Sequence, residues 1–127
     1  MSLSINIRQT NDVSVIDLAG RITLGEGAST LRETLRSMSR LGQKKILLNL
    51  ADATMIDSSG LGVLVAGFAS LANQGGDLKL LNLTSRVRDL LLITKLFTVF
   101  EVFEDEASAV GSFQNAATAT PVQAVRR

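Results

Sequence analysis

Residues 46–64 read ILLNLADATMIDSSGLGVL, and this stretch carries the main evidence for the fold. Residues 46–50 form a near-continuous apolar run, which is typical of a strand that is buried on both faces of a sheet. From Ser58 or the residue after it, apolar side chains recur at helical spacing as far as the glycine pair that begins at Gly75. We expect residues 51–56, between the two patterns, to form a loop. The stretch therefore predicts a buried strand, a loop and an amphipathic helix.

Seven further elements are predicted from the same kinds of pattern on either side of this stretch. In chain order they are strands at 4–8 and 13–18 joined by a turn at Asn11-Asp12, a helix at 26–41, a strand at 78–83, a helix capped by Thr84 or Ser85, a strand at 99–103 and a short helix that opens at Asp105-Glu106. Strands that alternate with helices imply crossover connections, and the opening hairpin adds an antiparallel part. The prediction is an α/β domain with a mixed sheet of four to five strands packed against about four helices.

The domain is expected to span residues 1–115. Residues 116–127 are rich in Ala and Thr, contain the single proline of the chain and end in two arginines, so we expect a disordered tail. On the helix at 26–41, Arg32, Glu33, Arg36 and Arg40 fall mostly on the polar side, and we interpret their charges as a solvated face.

The composition disfavours several classes of function. The chain has 127 residues, a formal net charge of +1, no cysteine and no histidine. Without these two side chains there can be no disulfide, no Ser-His triad and no Cys/His zinc site. A carboxylate or lysine enzyme stays open on composition alone, but we expect no metal site, no catalytic residues and no enzyme. The balanced charge argues against a dedicated nucleic-acid binder.

The sequence also lacks the usual signals for membranes and secretion. No segment approaches the roughly 18 consecutive apolar residues of a membrane span, and the N-terminus does not show a basic region followed by an apolar one. We therefore expect no membrane insertion and a cytoplasmic location, with which the absence of cysteine agrees.

Residues 56–62, at the junction between the buried strand and the helix, form the candidate site. The first amides of a helix lack partners within it and attract negative charge, and either Asp57 or Ser58 can cap them. Gly60 and Gly62 remove side chains from the first turn, which would let another backbone or a phosphate approach. The same residues also fit a simple N-cap with glycines that serve packing, and both interpretations stay open on this evidence.

Known catalytic motifs do not match this junction. Ile56 stands where a nucleophile elbow needs its first glycine, and no lysine follows the glycines as in a phosphate-binding loop. The G-x-G-x-x-G spacing of a dinucleotide site is also missing.

Residues 46–50 and 55–64 together resemble the STAS domain of bacterial anti-sigma-factor antagonists. Residues 13–22, 75–78 and 96–103 resemble further parts of that domain, so that the similarity covers residues 4–113. The resemblance implies a STAS-like fold and an anti-sigma-factor antagonist, which binds an anti-sigma factor and so releases a sigma factor for transcription.

The resemblance also implies a phosphorylation switch. In the family, the first serine of the Asp-Ser-Ser/Thr-Gly motif is phosphorylated by an anti-sigma factor that is also a serine kinase, and a separate serine phosphatase resets it. That position is Ser58 here. The partner-binding surface implied by the same motif comprises Asp57, Ser58, Ser59, Gly60, Leu61 and Gly62. The nucleotide would sit on the kinase, so no cofactor is expected in this chain.

One residue departs from the family pattern. Lys95 stands where the family commonly has glycine, and a turn with positive φ there would cost about 1 kcal/mol.

Other functions remain open. STAS domains also serve as non-enzymatic scaffolds in stress-signalling assemblies and as parts of lipid-transport complexes. A small-ligand binder or enzyme that uses Asp57 and Ser58, or a plain helix cap, are the remaining alternatives.

Overall fold

A five-stranded mixed sheet forms the centre of the fold. The computed structural model describes the backbone of residues 3–118 and the side chains of residues 3–113. Its elements are β1 (Leu3–Thr10), β2 (Val13–Ile22), α1 (Glu26–Arg40), β3 (Lys45–Ile56), α2 (Ser58–Asn73), β4 (Asp77–Leu81), α3 (Ser85–Ile93), a 3-10 turn (Leu96–Thr98), β5 (Val102–Phe103) and α4 (Glu106–Thr118). The strands lie in the order β1-β2-β3-β4-β5, with β1 antiparallel to β2 and the other pairs parallel. The predicted α/β class and mixed sheet are confirmed.

The central strand β3 has a hydrophobic cluster on each face, as the apolar run predicted. Ile46, Leu48 and Leu50 belong to the larger cluster, which also contains residues of α1, α2 and α3. Leu47 points to the opposite face and joins a smaller cluster that contains Phe113 of α4. Because neighbouring side chains of a strand alternate between faces, a run of large apolar residues is what a strand covered on both sides requires.

The loop predicted for residues 51–56 is wrong, because β3 continues to Ile56. These residues pair with the end of β2, where Gly20 lies opposite Ala53 and Ile22 opposite Ile56. The pairing includes two register shifts, so the strands do not keep a simple alternation there. Strand pairing in the sheet overrides the weak strand preference of these residues.

The end of the domain also differs from the prediction. β4 stops at Leu81 instead of residue 83, because Asn82 has a φ of 59° and leaves the extended conformation. The strand predicted at 99–103 is reduced to Val102–Phe103, preceded by the 3-10 turn. α4 runs to Thr118 and so includes the first residues of the predicted tail, whereas residues 119–127 lie outside the described part.

Two charged groups attach α4 and its flanks to the sheet. Arg8 of β1 binds the carboxylates of Asp17 and Glu106, with its Nε 2.7 Å from Asp17 Oδ2 and an Nη 2.7 Å from Glu106 Oε2. Lys79 of β4, only 2% exposed, pairs with Glu101 at 2.7 Å and donates to Ser112 Oγ at 2.8 Å. The contacts to Arg8 and the hydrogen bond to Ser112 connect the sheet to α4, and a buried charge needs such partners.

We expect the unfolding free energy to fall in acid because of the Arg8 cluster. Hydrogen bonds from Arg8 above all, and from Asn49, lower the pKa of Asp17 to about 2. The folded pKa lies below the unfolded one, so this stabilisation is present above about pH 4 and is lost as the pH falls towards 2. Denaturant titrations across this range should show that the unfolding free energy of Asp17→Asn falls less than that of the wild type. At pH 7 this variant should already be less stable than the wild type. Asp52→Asn, an exposed change on β3, should stay within about 0.5 kcal/mol of the wild type at pH 7.

Lys95→Gly should stabilise the domain by about 1 kcal/mol. Lys95 has a φ of 65°, in the left-handed region that glycine adopts without strain, and its side chain is exposed. Thermal unfolding of the two proteins measures the gain. Lys95→Ala keeps a Cβ and should show no comparable gain, so equal stabilisation by both changes would contradict backbone strain as the cause.

Candidate functional site

Asp57 joins the end of β3 to the start of α2 and caps this helix. Its Oδ1 accepts a hydrogen bond from the Gly60 N–H at 3.0 Å, and its Oδ2 accepts one from the Leu24 N–H at 2.9 Å. These bonds, the one from Leu24 first, lower the pKa of the Asp57 carboxyl. The carboxylate therefore connects the first turn of α2 to the loop between β2 and α1. Of the two capping residues considered from the sequence, Asp57 takes the role.

Ser58 is the first residue of α2, and its side chain is exposed. Among the described residues, no hydrogen-bond partner is found for its hydroxyl, since the capping contacts are made by Asp57. Ser59, the next residue, is half-buried. The structure thus places the predicted phosphorylation position on the surface, at the positive end of a 16-residue helix.

Gly60 and Leu61, two residues of the predicted partner-binding set, pack against the rest of the domain. A Cβ on Gly60 would overlap the carbonyl oxygen of Ile22 and lie 2.9 Å from the Cγ2 atom of that residue. The glycine therefore makes room for the end of β2 of the same chain. Leu61 is only 6% exposed and packs in the larger core cluster. Both residues position the start of α2, and neither offers a side chain to a partner.

Gly62 fits the interpretation that a glycine in this turn lets another molecule approach. It is exposed, and a Cβ built on it would meet no heavy atom within 4 Å. One helical turn from Ser58, the surface of α2 is therefore open to close approach. The predicted set thus divides into surface positions at Ser58, Ser59 and Gly62, a cap at Asp57 and buried positions at Gly60 and Leu61.

Leu24 belongs to this surface and was missed in the sequence. Its N–H binds Asp57, and its side chain is 80% exposed, the largest exposure of the large apolar residues in the described part. A leucine between Thr23 and Gly25, outside any predicted element, was the available signal. Its proximity to Ser58 depends on the parallel pairing of β2 with β3, which brings their carboxyl ends together.

The described residues contain no group of three or more acidic side chains arranged to hold a metal ion. Between residues 3 and 118, no helix has the length and apolar character needed to cross a membrane. The chemistry present at the junction is thus a serine hydroxyl, a capping carboxylate and the amides of a helix N-terminus.

Gly60→Ala and Gly62→Ala should change stability in opposite directions. The first variant should lose more than about 2 kcal/mol of unfolding free energy, because the new methyl group collides with the β2 backbone. The second should gain about 0.5–1 kcal/mol, because alanine is the better helix former and the space is open. Denaturant unfolding of both variants measures the difference, and a well-tolerated Gly60→Ala would show that the contact with Ile22 is not tight.

Comparison with known proteins identifies the family to which the chain is similar. The model of the STAS domain family matches residues 4–109. The anti-sigma-B factor antagonist of Bacillus subtilis is 33% identical over 102 residues, which cover 80% of this chain and 92% of that protein.

Two solved structures share the fold. An anti-sigma factor antagonist from Mycobacterium paratuberculosis superposes with a TM-score of 0.79 at 18% identity, over 88% of this chain and 94% of the other. The phosphorylated form of the Bacillus cell fate determinant SpoIIAA gives a TM-score of 0.68 at 21% identity, over 86% and 98%. With the family model matching most of its length, and with the sheet order and strand-to-helix junction described above, this chain belongs to the STAS domain family.

Proposed function

We propose that this chain is an anti-sigma-factor antagonist whose binding to its anti-sigma factor is controlled by phosphorylation of Ser58. The observation that carries the proposal is the exposed Ser58 side chain at the N-terminus of α2, beside a carboxylate that is engaged within the domain. The relatives named as anti-sigma factor antagonists support the partner class. The chain would act in the bacterial cytoplasm by binding alone, without catalysis and without a cofactor.

The partner would be an anti-sigma factor with serine kinase activity. In the unphosphorylated state, Ser58 and its neighbours dock on the kinase, which brings the hydroxyl to the nucleotide held there. The sigma factor that the kinase had bound is then released. A serine phosphatase would later remove the phosphate and restore binding.

The charge of a phosphate explains how binding would be lost. Phosphorylation adds about −1.5 to −2 charges at pH 7. The neighbouring Asp57 carboxylate, whose pKa its hydrogen bonds from the Leu24 and Gly60 amides lower, is negative at pH 7, so a docked kinase would enclose two adjacent negative groups. Desolvation of that pair opposes the complex. In the free domain, the helix N-terminus and water stabilise the phosphate, so that the fold need not change.

Ser58 variants test this proposal. The wild type, Ser58→Ala and the matched control Ser59→Ala are each incubated with a kinase-type anti-sigma factor and ATP, and phosphate is located by mass spectrometry. We expect one phosphate on the wild type and on Ser59→Ala, and none on Ser58→Ala. Ser58→Asp should bind the kinase at least about tenfold more weakly, equivalent to about 1.4 kcal/mol, with unchanged thermal unfolding.

Two results would contradict it. Phosphate that persists in Ser58→Ala would assign the modification to another residue. Unmodified protein that binds the kinase no better than Ser58→Asp would favour a scaffold whose Ser58 only begins a helix.

A further inference from the structure

A groove between α1 and α2 has an unusual distribution of charge. Its volume is about 460 Å³, and one wall is formed by the arginines at three successive turns of α1, namely Arg32, Arg36 and Arg40. Within the part of the chain that the structure describes, no carboxylate lines the groove. These three arginines, which the sequence placed on a solvated face, therefore line the groove.

The positive charge of this wall is poorly compensated. Arg36 is 3.6 Å from Glu33 in an exposed pair, and Arg40 donates to the Ser37 hydroxyl at 3.3 Å. Arg32 has no hydrogen-bond or ion-pair partner that we find among the described residues. Like charges four residues apart destabilise a helix, so an anionic partner would relieve this repulsion.

The opposite side of the groove is formed by α2, whose exposed residues there are small. Gly62, Ala66 and Ser70 are exposed and spaced by four residues, so they share one face of the helix. Gly67 lies beside them, and a Cβ there would be 2.8 Å from Leu35 of α1, so the two helices pack closely beneath the groove. This side of the groove thus allows the backbone of another segment to approach.

From this geometry we infer that the groove binds an acidic amphipathic helix of a partner protein. The three arginines span about 12 Å along the axis of α1 and repeat every 6 Å or so. A compact anion such as a nucleotide needs donors that converge on it, whereas these are arranged in a line. A helix with Glu at i, i+4 and i+8 repeats its carboxylates at the same spacing, and its small or apolar face would rest on Gly62, Ala66 and Ser70. This inference does not depend on phosphorylation of Ser58.

The test uses the full chain and a synthetic probe. The probe is an alanine-based helical peptide of about 18 residues with three Glu at i, i+4 and i+8, and the control peptide carries Gln at those positions. In NMR titrations we expect the amides of Gly62, Ala66 and Ser70 to shift with the Glu peptide only. Binding should weaken as salt is raised from about 0.05 to 0.5 M.

Two variants with equal loss of charge separate this groove from general attraction. Arg32→Gln/Arg36→Gln/Arg40→Gln should weaken peptide binding at least about tenfold. Arg21→Gln/Arg86→Gln/Lys95→Gln removes three exposed charges elsewhere and should retain it.

Three outcomes would overturn the inference. The first is equal binding of the Glu and Gln peptides, and the second is equal loss of binding in the two triple variants. The third combines two observations. The Glu peptide causes no shifts in the groove, and phosphatidylglycerol-rich vesicles sediment the chain only when the three α1 arginines are intact. This result would assign the arginines to a membrane surface instead.

Discussion

The contact between the end of β2 and the start of α2 determines how the surface around Ser58 is built. The Ile22 carbonyl lies so close to Gly60 that no side chain fits there. The Asp57 carboxylate then joins the first turn of α2 to the loop before α1 through one hydrogen bond to each. Together these contacts give α2 a defined starting point relative to the sheet. A serine at the first position of that helix is thereby held at the surface while the residues after it enter the core.

The proposed switch at Ser58 would not require the protein to refold. The capping function belongs to Asp57, so a change at the Ser58 hydroxyl need not break an internal hydrogen bond of the described structure. The core beneath is largely aliphatic and continuous across α1, α2 and α3, and a close-packed core resists local adjustment. A charge added at Ser58 would therefore act mainly on the energy of docking. Leu24, held beside this position through its N–H, supplies an apolar contact that docking could bury.

The other face of the sheet is secured by different means. Phe113 and Val110 of α4 pack on Val15 and Leu47, but this cluster is smaller and is supplemented by charged groups. Arg8 holds Glu106 at the start of α4, and Lys79 contacts Ser112 and lies 4.7 Å from the centre of the Phe113 ring. The docking of α4 thus depends on ion pairs and hydrogen bonds more than that of α1 or α2. The surface of α2, with the Ser58 position at one end and the arginine-lined groove along its side, is separate from this face.

The sequence by itself determined the α/β class, the buried central strand and the position of Ser58 at a helix start, because these depend on periodicity, capping residues and a specific local motif. It did not reveal that residues 51–56 are a strand, since their pairing with the end of β2 is a contact between distant segments. It also could not distinguish Gly60 from Gly62, nor show that Arg32, Arg36 and Arg40 line a cavity. Only the tertiary structure decided these points, because what lies against a residue depends on how β2, α1 and α2 pack together, and local sequence carries little information about packing between elements far apart in the chain.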